Sequence, residues 1–122
     1  VDVRDGADGK KVPVFWSLGN FVSGQIEKPR MLGGMAKLTL EKTGDSCKVT
    51  EYSLTPLVTH RAPNPSMSVY KLSDYTEELA SQNAIRNAPG CGDFTLQYCY
   101  DLVGQILGEG FDANEGILKG TL

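Results

Sequence analysis

Histidine is nearly absent from these 122 residues: His60 is the only one, and cysteine occurs three times, at Cys47, Cys91 and Cys99. The cysteines form no Cys-x-x-Cys pair and a single imidazole cannot complete a zinc centre, so neither a structural zinc site nor a dense disulfide framework is encoded. One disulfide stays open. Cys99 falls on the apolar stripe of an expected helix and reads as a small core residue, whereas Cys91 lies in the loop APGCGD, where it is free to be exposed. No apolar run approaches membrane length. Basic clusters are missing too: the formal net charge is -3 and the acidic residues are scattered, which argues against a nucleic-acid surface. The chain opens on Val1 with no Met, no basic segment and no apolar signal core, so it reads as an interior or C-terminal piece and any targeting sequence is expected to lie outside these residues. Repeats and low-complexity tracts are likewise lacking. The remainder, 40% apolar and 22% charged, is the composition of one ordinary globular domain.

Turn chemistry divides the chain. RDGADGKK, Arg4 to Lys11, holds two Asp-Gly steps and predicts a tight turn between flanking strands Val1 to Val3 and Val12 to Leu18. The spacing of Asp2, Asp5 and Asp8 does not supply the alternating oxygens and later bidentate Glu of a calcium loop. GGMAKLTLEK then alternates, placing Ala36, Leu38 and Leu40 on one face, and CKVTEYSLTPLVT resumes an extended run after the turn TGDS, which predicts a hairpin. Pro56 predicts either an edge position or the end of regular pairing near Leu57. RAPNPS, Arg61 to Ser66, marks the passage from strands to helices. Asp74 with Glu77 has the form of a capping box, predicting a helix from about Tyr75 to Arg86. Leu96, Cys99, Tyr100, Val103, Ile106 and Leu107 follow one helical face, so a second helix is expected over Thr95 to Leu107, stopped by Gly108 and Gly110. The helix face Leu96, Val103 and Leu107 and the strand face Ala36, Leu38 and Leu40 are expected to cover each other.

Catalytic inventory is thin. His60 sits just before the proline-rich break and reads as a surface or strand-end residue rather than a general base. Glu77 and Glu78 diverge as neighbours on a helix and read as helix-start charge. GQILGEG follows a helix, so its amides do not converge on an anion.

The unusual stretch is VPVFWSLGNFVSGQ, Val12 to Gln25, an aromatic strand broken by Ser17-Leu18-Gly19-Asn20 before Phe21. Glycine permits a sharp turn there, and the Asn20 amide can hold neighbouring backbone groups while Phe21 returns to the core. This stretch resembles the segment (F/Y)(Y/W)SLGNF(V/I) toward the C-terminus of the bacterial CapA-like family, the capsule and poly-γ-glutamate synthesis proteins with a calcineurin-like metallophosphatase fold. The turn before it, the hairpin after it and the phrase VYKLSDYTEEL extend the resemblance from Val1 to about Ile85.

The resemblance implies that the chain is the C-terminal portion of such a protein, its first strands joining the sheet of a four-layer α/β sandwich. The family's metal ligands lie in upstream motifs that this chain lacks. It therefore implies no catalytic or metal residue here, a divalent metal pair only in the intact protein, which would be a metal-dependent phosphatase-like hydrolase, and no activity for this chain alone. Ser17 and Asn20 would then either form a structural corner or steady the last metal-bearing loop without touching the ions. Implied partners are the rest of the parent domain and polymer synthesis or export proteins, in an extracytoplasmic setting reached through the parent's membrane association. The alternative is a noncatalytic module that binds an anionic polymer or a partner in the export complex. The expected fold class is α+β: an antiparallel or mixed sheet in a β-rich part, 1–60, with two packed helices in a helical part, 61–122.

Overall fold

Two long strands form the centre of the molecule, whose computed structural model describes residues 1–122. β1 (Asp2–Asp5) and β2 (Lys11–Val14) form a separate antiparallel hairpin. β3 (Leu32–Thr43) and β4 (Ser46–Arg61) pair antiparallel across the turn at Gly44, with Leu32 opposite Val58, Ala36 opposite Leu54, and a register shift between Thr39 and Leu40. On the far edge of β4, β5 (Met67–Lys71) pairs with Leu57 to Arg61, and β7 (Ile117–Thr121) pairs with Glu51 to Leu54. β6 (Phe111–Asp112) completes the antiparallel sheet beside β7. The fold is α+β, with α1 (Glu77–Gln82) and α2 (Leu96–Leu107) as its two helices.

Several expectations are corrected in detail. β4 does not stop near Leu57 but continues to Arg61. Thr55 and Pro56 lie between the segments that pair with β7 and with β5, so the proline occupies a local edge where one missing N–H is tolerated. RAPNPS closes a hairpin between β4 and β5, and the part expected to be helical carries three strands as well as two helices. The strand expected to reach Leu18 ends at Val14. The first helix starts later than Tyr75: Thr76, not Asp74, caps it by accepting from the Leu79 N–H at 3.1 Å. It also ends early, at Gln82, because Asn83 is extended and opens a separate 3-10 turn over Ala84–Asn87. Glu77 does more than supply helix-start charge, since its carboxylate accepts from the Leu96 N–H at 2.9 Å and ties α1 to the start of α2.

The core gathers at the open end of the β3–β4 hairpin. Met31, Leu32 and Val58 meet Leu72, Tyr75, Ile85, Phe94, Cys99 and Val103, all buried. Cys91, which the loop sequence left free to be exposed, is buried in the same cluster, and all three cysteines are free thiols. Val103 of α2 joins Leu32 and Val58 in this cluster, but the predicted mutual cover with Ala36, Leu38 and Leu40 fails. Ala36 is half-buried while Leu38 and Leu40 are exposed, because the helix lies over the other end of the hairpin and leaves its tip bare.

Candidate functional site

The corner after β2 is built almost wholly by backbone. Phe15 meets Tyr52 of β4 edge-on at 6.4 Å, and the chain then runs along the outer edge of β3. The Gly34 N–H donates to the Leu18 carbonyl at 2.7 Å and Gly19 pairs with Gly33. Gly19 has φ of 67°, and a Cβ there would stand 2.9 Å from the Leu32 carbonyl. Across from it, a Cβ on Gly33 would collide with the Asn20 carbonyl, so two glycines let the strands touch. Ser17 Oγ accepts from the Gly19 N–H at 3.2 Å. Asn20 Nδ2 donates to Gln25 Oε1 at 2.8 Å and to the Arg30 carbonyl at 3.1 Å, closing the loop that follows.

That loop is fixed by its carbonyls and turns its side chains outward. Thr59 Oγ1 donates to the Phe21 carbonyl at 3.0 Å, and Arg61 Nη1 donates to the Gln25 carbonyl at 3.3 Å. Phe21 does not return to the core: it is 65% exposed, beside Trp16 at 67%, Val22 at 60% and Ile26 at 55%. Trp16 is nevertheless held. Its Nε1 donates to Asp2 Oδ2 at 2.9 Å, and the Arg4 guanidinium lies 4.7 Å from its ring centroid. Between the corner and α2 runs a groove of about 270 Å³, with Ser17, Leu18 and Gly19 on one wall and Val103, Ile106 and Leu107 on the other. Ile106 is exposed on its rim.

Of the residues singled out from the sequence, Ser17 and Asn20 come together in this corner, and His60 stands apart from it. His60 is half-buried and stands one residue before the end of β4, the strand-end position expected for it. Its Nδ1 lies 2.9 Å from Tyr75 Oη, within hydrogen-bond distance, and Asn83 Nδ2 donates to that same oxygen at 3.1 Å. Burial lowers the His60 pKa from its ordinary value, and the ring carries no neighbouring carboxylate to restore it. Burial also raises the Tyr75 hydroxyl and pushes the Cys99 thiol up to about 12, which suits core residues and not nucleophiles. No group of three or more His, Cys, Asp or Glu side chains is placed to hold a metal ion. No helix is long and apolar enough to cross a membrane.

Sequence reasoning found Gly19 and Asn20 but missed Gly33, Thr59 and Arg61, which hold the corner from the sheet side. The Gly33-Gly34 doublet at the start of β3 was the available signal, since paired glycines in a strand mark close backbone approach. No family model, curated protein or solved structure matches this chain.

Proposed function

We propose that this chain is the C-terminal portion of a CapA-like capsule or poly-γ-glutamate biosynthesis protein, in which it completes the sheet of a metal-dependent phosphatase-like sandwich without contributing a metal ligand. The observation that carries the reading is a hydrogen-bonded but uncovered face: Trp16, Phe21, Val22 and Ile26 are exposed on a segment whose Phe21 and Gln25 carbonyls are bound by Thr59 and Arg61. A loop ordered this way around bare aromatic groups is what the edge of a larger core looks like when its other side is removed. The SLGNF segment supports the same reading. In the intact protein the face would pack against the upstream half, and the Ser17–Asn20 corner would lie under the last metal-bearing loop. Asn20 spends both amide hydrogens within the chain and keeps its amide oxygen free of hydrogen bonds, so it has an acceptor available for that loop.

The test uses the only tryptophan, Trp16. Titrating the upstream half of the reading frame into this chain should shift Trp16 emission to the blue and yield a complex that retains two divalent ions. Emission that stays unchanged at high concentration of the upstream half would overturn the reading. In the intact protein, Asn20→Ala should weaken metal retention about 10- to 100-fold while unfolding stays cooperative. If Asn20 is a corner residue only, stability falls and metal retention by the folded protein does not.

A further inference from the structure

On the face of the sheet opposite the corner, lysines from three separate strands come together. Lys37 of β3 and Lys119 of β7 both pair with Ser53 of β4, so the three residues form one row across the sheet. Their side chains share a face because paired residues point to the same side, and the two lysine Cα atoms stand about 10 Å apart. Lys71 of β5 pairs with Leu57, four residues further along β4 and on that same face, or roughly 13 Å from the row. These lysines line a cleft of about 700 Å³ together with the hydroxyls of Ser53, Thr55 and Thr121.

The donors of this cleft are largely unused. Lys37 and Lys71 have no carboxylate within ion-pair distance and no hydrogen bond, and the three hydroxyls make no side-chain hydrogen bond either. Lys119 is paired with Glu115. Glu51, the one carboxylate of the cleft, already accepts from Thr39 Oγ1 at 3.1 Å. Three lysines against Glu51 and the Glu115 that pairs with Lys119 leave a net charge of +1 around the cleft of a chain whose total is -3. No basic cluster is visible along the sequence because the three positions are brought together only by strand pairing.

We propose that this cleft binds a small ligand carrying two or more phosphate groups. A site rich in free donors and poor in acceptors calls for an acceptor-only partner, and the positive lining calls for an anion. Lysine ammonium groups bind phosphate as point charges, and ammonium and hydroxyl groups converging from different strands suit the several tetrahedral oxygens of a phosphate. One phosphate fits over Ser53 between Lys37 and Lys119, and a second group is needed to engage Lys71. The inference rests on the sheet alone, and would survive failure of the reading drawn from the corner.

Pyrophosphate and citrate, titrated separately into the chain at low salt, provide the test, read by calorimetry and by the amide resonances of Ser53 and Thr55. Pyrophosphate should bind, move both resonances, and lose roughly tenfold in affinity in each of Lys37→Gln and Lys71→Gln. Lys42→Gln, a change to an exposed lysine near the hairpin turn, should bind as the unaltered chain does. All three substitutions are on the surface, and unchanged thermal unfolding checks that each variant is folded. Absence of pyrophosphate binding, an equal loss in Lys42→Gln, or tighter binding of citrate than of pyrophosphate would overturn the assignment.

Discussion

Phe94 and Phe21 are the same side chain in opposite situations: the first is fully buried in the cluster under α2, the second is 65% exposed on a loop just as firmly tied. In the region around Phe94, side chains make the structure, with Met31, Val58, Ile85 and Val103 filling one volume. Around Phe21, backbone makes it, through the Gly19–Gly33 pairing, the Asn20 amide and the carbonyls bound by Thr59 and Arg61. The difference teaches that order and burial are separate properties. A core that orders itself by packing is self-sufficient, whereas a face ordered by hydrogen bonds has its apolar side chains still available to a partner.

The sharpest way to break this contrast is to charge the packed region. Val103→Asp places a carboxylate where the structure is 5% exposed and offers it no cation. An unpaired buried charge costs about 3 to 5 kcal/mol, a large share of the 5 to 15 kcal/mol expected for a domain, so thermal melting should fall by roughly 10 to 20 °C or folding should be lost. A variant that melts like the unaltered chain would remove α2 from the core.

Next in size is Asn83→Ala, which tests whether the packed region also depends on a polar joint. Asn83 is buried; its Nδ2 donates to the Thr59 carbonyl at 3.1 Å as well as to Tyr75, and its Oδ1 accepts from the Ile85 N–H at 3.1 Å and the Arg61 N–H at 3.3 Å. Truncation leaves these groups unsatisfied, and denaturant unfolding should show a loss of about 1 to 3 kcal/mol. A loss below the lower figure would mean that water replaces the side chain.

The periodic elements were legible in sequence: the alternation of β3, and the helical stripe from Leu96 to Leu107 that became α2, including its stop at Gly108. Periodicity tells which residues share a face, but not what covers that face, so Leu38 and Leu40 share a side as expected and remain exposed. β5 and β7 were not legible because they are short and gain their pairing from the long far edge of β4, a non-local cause. At the corner, Gly19 and Asn20 announced themselves by residue type. Phe21 misled, since an aromatic residue followed by Val22 suggests core, while the anchor there is its carbonyl. The lysine cleft was invisible for the same reason as β7: register, not spacing, assembles it.

A smaller effect separates the two regions by pH. Burial disfavours the protonated ring of His60, so its folded pKa lies below its unfolded value near 6.5. The unfolded chain therefore binds the proton first as pH drops. The stabilisation is fully present above the unfolded pKa and is lost as pH falls through about 6.5 toward the lower folded value, so stability should rise with pH across that window. His60→Gln should flatten this slope in denaturant unfolding measured between neutral and mildly acidic pH. A slope left intact would place its origin outside the Tyr75–Asn83 joint.

The smallest expected change is the most discriminating. Phe21→Ser removes an exposed ring but keeps the carbonyl that Thr59 holds, so the stability of this chain should move by no more than about 0.5 kcal/mol. If the chain completes a larger core as proposed, the same ring is covered there, and burying a Phe side chain is worth roughly 1.5 to 3 kcal/mol, with a further cost once a cavity forms. The substitution should thus be nearly silent here and clearly destabilising there, measured by denaturant unfolding of both. Were it to destabilise this chain as much as Asn83→Ala does, the ring would already be doing packing work, and the separation between a region held by side chains and a region held by backbone would fail. Were it silent in both proteins, the loop would be an ordinary exposed surface with no upstream partner, because a covered aromatic ring cannot be replaced by a hydroxymethyl group without loss.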